Sequence, residues 1–475
     1  MQKALERPPI WMLLAFVAPC LPLAAMGLPL STHVTNFYNE ELGLDLATVG
    51  AMFMIVRLLD IGFDPIFGGV MDRTRSRFGR FKLWFVIGTP VVLVATAMLF
   101  LARPGVGAAY LLIGLLLIYA GQSMTTLAQM AWGSTLSPNY DQRSRIFGWW
   151  QAANVVGMVS ILLLPSVLGA MGFSKTVGFQ AMGWFIIAFL PLTLALALWK
   201  VPEPQNPSRT DKAGLREYFD LLGRRSVQRL LLCDILLNAG PAVAGVLFFF
   251  YFKEHKGFAF AEANTLLLVY FVGAFAGSPL WMVIAKRLGK HRTLIAAAVM
   301  YAAIQAGTAL APSGNFALGA ALMFFAGLPF SAGPFLLRAM MADIADEERL
   351  ASGRDRTGLL YAILTGAIKI GTAIAVGAAT IGLDALGYDA KLPVNSETAL
   401  LGLQLFFTLL PPALALIAAA MMIGYPLTAA RQGEIRRQLD ERDLADAAPE
   451  FGAEPRLSED IHAPARPPGA ALPAE

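Results

Sequence analysis

The sequence predicts an all-α polytopic membrane protein, with about twelve transmembrane helices in two six-helix halves. Three observations predict it. Of 475 residues, 56% are hydrophobic and only 15% charged, where a soluble domain is about 45–50% apolar and about 25% charged. The apolar residues form continuous runs of the roughly 20 residues that cross a bilayer as a helix, not the short alternating segments of a barrel. Basic residues also cluster after every second run, as they do in loops left on the cytoplasmic side.

The runs lie near residues 10–33, 46–70, 83–102, 107–135, 146–171, 177–200, 227–252, 263–285, 293–311, 316–341, 357–386 and 398–426. The first holds Pro19, Pro22 and Pro29, which bend a helix and free backbone carbonyls. It is long and lacks a small-residue cleavage site, so a membrane span rather than a removed signal is expected. The even-numbered runs are followed by basic turns, such as Arg73 to Lys82 after the second and Lys286 to Arg292 after the eighth. That bias places both termini in the cytoplasm, and a bacterial-type inner membrane is the expected location. It also accounts for the net charge of +4 without a nucleic-acid partner. Cys20 and Cys233 fall in different runs, no Cys/His cluster suggests a metal, and no cofactor is expected.

Pro202, Pro204, Pro207 and several charges mark a cytoplasmic linker over 201–226, with an amphipathic helix around Leu215–Leu222. It separates a first half, 1–200, from a second, 227–427. Arg77-Phe78-Gly79-Arg80-Phe81-Lys82-Leu83 matches Arg287-Leu288-Gly289-Lys290-His291-Arg292-Thr293 at an offset of 210 residues, and Gly148 meets Gly358 at that same offset. Parallel six-helix repeats of this kind surround a site at the bilayer midplane. From 428 to 475 the chain is charged, then rich in Ala, Pro and Glu, so a disordered cytoplasmic tail is expected, with a short helix near Glu434–Leu444.

Charges inside the runs carry the chemistry. Asp60 and Asp64 lie four residues apart on one helix face, and each mid-bilayer charge costs roughly 2.5–3.5 kcal/mol. Arg57 shares that face and offsets one carboxylate, leaving the other for a cation; the alternative is a buried structural ion pair. Lys369, in the eleventh run between Thr365 and Thr372, needs a carboxylate partner. Asp234, in the seventh, either pairs with Arg229 or is a second proton site.

Arg57-Leu58-Leu59-Asp60 through Asp64-Pro65, then Gly68-Gly69-Val70-Met71-Asp72-Arg73-Thr74-Arg75-Ser76-Arg77-Phe78-Gly79-Arg80, resembles the signature of the glycoside–pentoside–hexuronide:cation symporters, the melibiose-permease branch of the major facilitators. Ser137-Pro138-Asn139-Tyr140-Asp141-Gln142-Arg143, Ala342-Asp343-Ile344-Ala345-Asp346, Arg356-Thr357-Gly358 and Lys369 extend the resemblance across about residues 10 to 425. It implies a major facilitator fold in which Asp60 and Asp64 bind the coupling ion and Lys369 competes for them. Phe63 stands where some sodium-coupled relatives carry an amide. Hard cations take oxygen ligands, so the ion is a proton, or sodium if Ser123 or a backbone carbonyl replaces that amide.

The resemblance also assigns Asp72, Gly79 and Arg80 to a cytoplasmic gate, with Arg143, Asp343, Asp346 and Arg356 in its network. The substrate pocket departs from the pattern. The acids of sugar-transporting relatives fall at Ala24 and Thr126, and their arginine at Trp150. Gln122, Thr126, Gln129, Gln151, Asn154 and Asn238 remain as polar contacts, with Trp150 stacking on a ligand or packing between helices. The expected function is alternating-access, cation-coupled symport of a small organic solute such as a glycoside, by a monomer in the lipid bilayer. A less polar or lysolipid-like substrate, proton-driven efflux and a non-transporting membrane sensor are the alternatives. Neither a His-rich metal constellation nor a nucleophile–base spacing points to an enzyme.

Overall fold

The computed structural model describes residues 6–24, 26, 33–35, 37–204, 215–388 and 395–447. The first half contains α1 (Ile10–Val17), α2 (Cys20–Ala24), α3 (Leu46–Arg73), α4 (Arg80–Phe100), α5 (Ala108–Thr135), α6 (Tyr140–Ala170) and α7 (Lys175–Lys200). After the linker helix α8 (Leu215–Leu222) come α9 (Arg225–Phe250), α10 (Phe260–Leu288), α11 (Lys290–Gly307), α12 (Phe316–Phe330), α13 (Ala332–Ser352), α14 (Thr357–Ala385), α15 (Glu397–Thr408), α16 (Leu410–Met421) and α17 (Ala429–Ala447).

Local chemistry sets many of these boundaries. Asp45, Asn139, Ser174, Asn315 and Ser396 each accept a hydrogen bond from a backbone N–H in the first turn of the helix they precede, which satisfies donors that a helix start leaves bare. Prolines mark the breaks: α1 gives way to α2 at Pro19, α12 to α13 after Pro329, and α15 to α16 ahead of Pro411 and Pro412. A proline has no N–H to continue the helical ladder. The tenth run therefore kinks but continues to Ser352, carrying Asp343 and Asp346 on helix.

Among the described residues, ten helical segments are long and apolar enough to cross a membrane, with Ile10–Ala24 a shorter apolar stretch. The 28-residue α3 stands apart because it carries Arg57, Asp60, Asp64, Asp72 and Arg73. Together these supply the twelve spans that the sequence predicts. In the first half, α4 packs on α5 and α7, and α3 on α5; in the second, α9 packs on α14 and α16, and α10 on α12. The halves meet where α3 lies against α14 and where α6 lies against α10 and α13. Gly68 makes the first contact possible, since a Cβ there would sit 2.6 Å from the Ala362 Cβ and 2.8 Å from the Gly358 carbonyl oxygen.

Two expectations change here. The chain beyond 428 is not disordered from its start: α17 is helical and docks, with Ile435 and Leu439 fully buried one turn apart. That pair forms a narrow apolar stripe within a charged sequence, enough to seat a helix on a neighbour. Residues 448–475 of the expected tail lie outside the described residues. Gly79, assigned to the gate, serves a turn instead. Its φ of 98° delivers the chain into α4, where Glu203 of the linker accepts from the Phe81 and Lys82 N–H groups at 3.0 and 2.8 Å. A Cβ on Gly79 would stand 2.2 Å from Glu203 Oε2.

Gly79→Ala should accordingly strain the turn and displace the Glu203 cap, with a loss of about 1–3 kcal/mol. Thermal unfolding of purified protein checks it: an unchanged midpoint would mean that the turn has another way to form.

Candidate functional site

Between α3, α5 and α14 lies a cavity of about 750 Å³. Its polar lining comes from Arg57, Asp60, Tyr119, Gln122, Ser123, Thr126, Thr365, Lys369 and Thr372. At its base the Lys369 ammonium spans two carboxylates. Nζ lies 2.9 Å from Asp60 Oδ2 and 2.8 Å from Asp64 Oδ2, and donates to Asp60 Oδ1 at 2.9 Å and Ser123 Oγ at 3.3 Å. Ser123 Oγ in turn donates to Asp60 Oδ1 at 3.3 Å. Asp60 is 4% exposed and Asp64 fully buried.

The two acids differ. Asp60 is hydrogen-bonded, whereas among the described residues neither Asp64 oxygen accepts a geometrically sound hydrogen bond. The 2.8 Å contact of Asp64 with Lys369 is a charge contact off the favoured hydrogen-bond direction. The backbone periodicity of α3 places both acids on one face, and α14 brings the lysine across from the other half.

Arg57 does not fill the role expected of it. Its side chain is exposed and lies beside Tyr119 at the cavity wall, while Lys369 makes the ion pairs. Asp234 likewise does not pair with Arg229, whose guanidinium donates to the Met421, Ile423 and Gly424 carbonyls at the end of α16. Those carbonyls lack helical partners, and a guanidinium satisfies several at once.

The residues assigned to the gate gather at one end of the bundle. Asp72 accepts from the Gly358 and Leu359 N–H groups that open α14, each at 2.8 Å. Arg80 lies 2.5 Å from Asp355 and 4.0 Å from Asp72. Arg143, only 2% exposed, bridges Asp343 at 3.0 Å and Asp346 at 2.6 Å, tying α6 to α13. Lys290 closes on the other Asp343 oxygen at 2.5 Å. Arg436 and Gln432 of α17 also reach Asp346, at 3.0 and 2.7 Å. Arg356 joins Glu348 at 3.3 Å. This end is closed by charge networks that cross the halves.

Of the expected substrate residues, Gln122 and Thr126 line the cavity, but four others are engaged elsewhere. Gln129 donates to the Phe16 carbonyl at 3.0 Å and accepts from Trp150 Nε1 at 3.3 Å, binding α1, α5 and α6 together. Asn154 donates to the Trp150 carbonyl at 2.8 Å, and Asn238 to Asp234 Oδ1 at 2.7 Å. Gln151 is buried and is not among the cavity-lining residues. A polar side chain in an apolar bundle bonds the nearest carbonyl or side chain when no water competes, so polarity alone did not mark the pocket.

Sequence reasoning missed Tyr119, Glu348, Asp355 and Arg338. Asp355 had a signal: it stands two residues before Thr357 at a helix start, and its Oδ1 accepts from the Thr357 N–H at 3.1 Å and hydroxyl at 2.7 Å. Tyr119 and Glu348 carried none, being one aromatic and one acid among several.

The family described as MFS/sugar transport protein matches residues 15–429. The uncharacterized symporter YnaJ of Bacillus subtilis is 24% identical over 87% of this chain and 91% of its own. The putative glycoside/cation symporter YagG of Escherichia coli is 26% identical over 85% and 89%. In structure, the Escherichia coli fucose:proton symporter FucP superposes with a TM-score of 0.63 at 17% identity, over 87% of this chain and 98% of that one; that likeness is one of fold.

Asp355 gives the closed end a pH signature. Burial alone would raise its carboxyl, but the Arg80 guanidinium and the Thr357 donors outweigh burial and hold it at about 2. A depressed carboxyl contributes its full stabilisation above the ordinary value of about 3.9 and loses it only as pH falls through the folded value. The Arg80–Asp355 bridge should thus be intact across roughly pH 5–8. In spin-label distance measurements across this end, Asp355→Asn should widen the distribution equally at both limits of that window; an effect that fades toward the acid limit would be wrong for this assignment.

Proposed function

We propose, from the premise that the chain belongs to the MFS/sugar transport protein family, that it is a secondary active transporter coupling a proton or sodium ion to uptake of a small, sugar-like solute. The observation that carries this reading is the Lys369 ammonium held between Asp60 and Asp64. With both carboxyls ionised, the cluster carries one negative charge more than the lysine cancels. A monovalent cation supplies the missing charge. It competes with Lys369 for the same oxygens, since an ammonium and a bound cation cannot both lie within 3 Å of them without strong repulsion. Ser123 adds a neutral oxygen that serves sodium as a ligand or a protonated Asp60 as an acceptor.

Released from the acids, Lys369 is free to face the cavity, where Gln122, Thr126, Tyr119, Thr365 and Thr372 offer donors and acceptors to a hydroxylated solute. About 750 Å³ falls within the usual range for a small-ligand site. Because the basic turns cluster at the closed end, that end is assigned to the cytoplasm, with both termini on the same side. The cavity then opens outward, and rocking of the two halves breaks the Arg80–Asp355 and Arg143–Asp343–Asp346 bridges to release the load inward. Asp72, Arg80, Arg143, Asp343, Asp346 and Arg356 with Glu348 are the proposed gate.

Ligand-induced thermal shift on purified protein, with a panel of glycosides at varied pH and sodium, tests the reading. A ligand should stabilise wild type more when the coupling cation is present, by the 5- to 150-fold in affinity that a coupling of about 1–3 kcal/mol represents. Asp60→Asn and Asp64→Asn should each abolish that dependence. Cation-independent stabilisation that survives both substitutions would make the acids structural.

A further inference from the structure

Asp234 lies outside the cavity and outside the gate. It is fully buried on α9. Oδ1 accepts from Asn238 Nδ2 at 2.7 Å, one turn along, and Oδ2 has no hydrogen-bond partner among the described residues. A bare carboxylate oxygen in an apolar bundle must be relieved by a proton, a cation or a moving partner.

The cation that acts on Asp234 is Arg338 of α13, but Arg338 is committed elsewhere and closes no ion pair among the described residues. Its Nη1 donates to the Pro334 carbonyl at 2.6 Å, its Nε faces Met130 Sδ at 3.2 Å, and its guanidinium stacks 4.7 Å from the Trp150 ring centroid. Met130 belongs to α5 and Trp150 to α6, so this arginine of the second half rests on the first. The interface between the halves holds it away from the carboxylate.

We propose that Asp234 is a second proton-binding carboxyl, separate from Asp60 and Asp64, and that the contact between the halves sets its occupancy through Arg338. In the conformation described, a proton from water adds to Oδ2 and leaves a neutral acid. When α6 and α13 part, Arg338 loses Trp150 and Met130, turns to Asp234, and the O–H bond breaks to return the proton to water. No electron is transferred. A cavity of about 30 Å³ lined by Tyr301 and by Asn238, the hydrogen-bond partner of Asp234, has room for a water molecule.

Other charges leave Asp234 to Arg338. On α9 itself, Arg229 is bound to the carbonyls after α16 and the neighbouring Cys233 thiol faces the Ala418 carbonyl at 3.8 Å. On α13, Asp343 and Asp346 are held by Arg143 and Lys290. On α14, Lys369 is held by Asp60 and Asp64 and the Tyr361 hydroxyl donates to the Arg338 carbonyl at 2.9 Å, while Arg356, just before this helix, pairs with Glu348. The sequence of α16 is without charge; Glu397 of α15, Asp220 of α8, and Glu262, Lys286 and Arg287 of α10 lie toward the ends of their helices.

Infrared spectroscopy of the full chain in lipid vesicles, following the protonated-carboxyl C=O stretch with pH, tests this without a substrate. An Asp60→Asn/Asp64→Asn background removes the two cavity acids, so the result does not depend on their role. Adding Asp234→Asn should remove one titrating band. Arg338→Gln should retain that band with its midpoint moved up by about one pH unit, because the opposing charge is gone. Trp150→Ala should move it down, since Arg338 then loses its support on the first half and approaches Asp234. A band untouched by Asp234→Asn would overturn the site, and a midpoint unmoved by Trp150→Ala would overturn its link to the interface.

Discussion

Three charges at the base of the cavity can exist only together. Asp60 and Asp64 are buried and Lys369 only partly exposed at the cavity base, and none of the three charges would be tolerated there alone. Because the acids come from α3 and the lysine from α14, their association draws one helix from each half into contact. The close packing of Gly68 on Gly358 and Ala362 follows along the same pair of helices. The cavity wall, the approach of the halves and the charge balance of the site are therefore one arrangement. Changing the occupancy of the acids must alter the force between the halves.

The central cluster and the closed end are bonded in opposite ways. At the centre, Asp64 has charge contact but no sound hydrogen bond, so its partner can be exchanged at little geometric cost. At the closed end, Asp72 accepts two backbone N–H groups and Arg143 serves two carboxylates. A network whose members share partners yields no single bond cheaply and opens as a unit. Exchange of ligands at the centre and all-or-none opening at the rim are the two properties that alternating access requires. Helix α17 adds to the rim from outside, because Arg436 and Gln432 share Asp346 with Arg143.

How much of this was legible in the sequence depended on the range of the interaction. Spans and the division into halves could be read because apolar runs and basic turns are local signals, and the helix at Leu215–Leu222 appeared where the pattern put it. Asp60, Asp64 and Lys369 could be picked out because charges in apolar runs are rare. Their pairing could not be derived from spacing. Helical periodicity favoured Arg57 for the acids and Arg229 for Asp234, yet the acids took a lysine 309 residues from Asp60, and Arg229 took carbonyls at the end of α16. The family signature had supplied Lys369 where periodicity could not. Gln129 and Trp150 misled for a related reason: polarity inside a bundle reports a bond to be made, not the surface on which it will be made.

The placement of Gln129, Trp150, Asn154 and Asn238 away from the cavity narrows the solute on the proposed reading. Its selectivity must come from Tyr119, Gln122, Thr126, Thr365 and Thr372, which are hydroxyls and an amide, with Arg57 at the wall. The charges deeper in the site, Asp60 and Lys369, are already committed to each other. A strongly anionic solute would compete with those acids for Lys369, and a cationic one would compete with the coupling ion for Asp60 and Asp64. A neutral, hydroxyl-bearing solute does neither: it meets the cavity's donors and acceptors while leaving the exchange at the acids to the coupling cation.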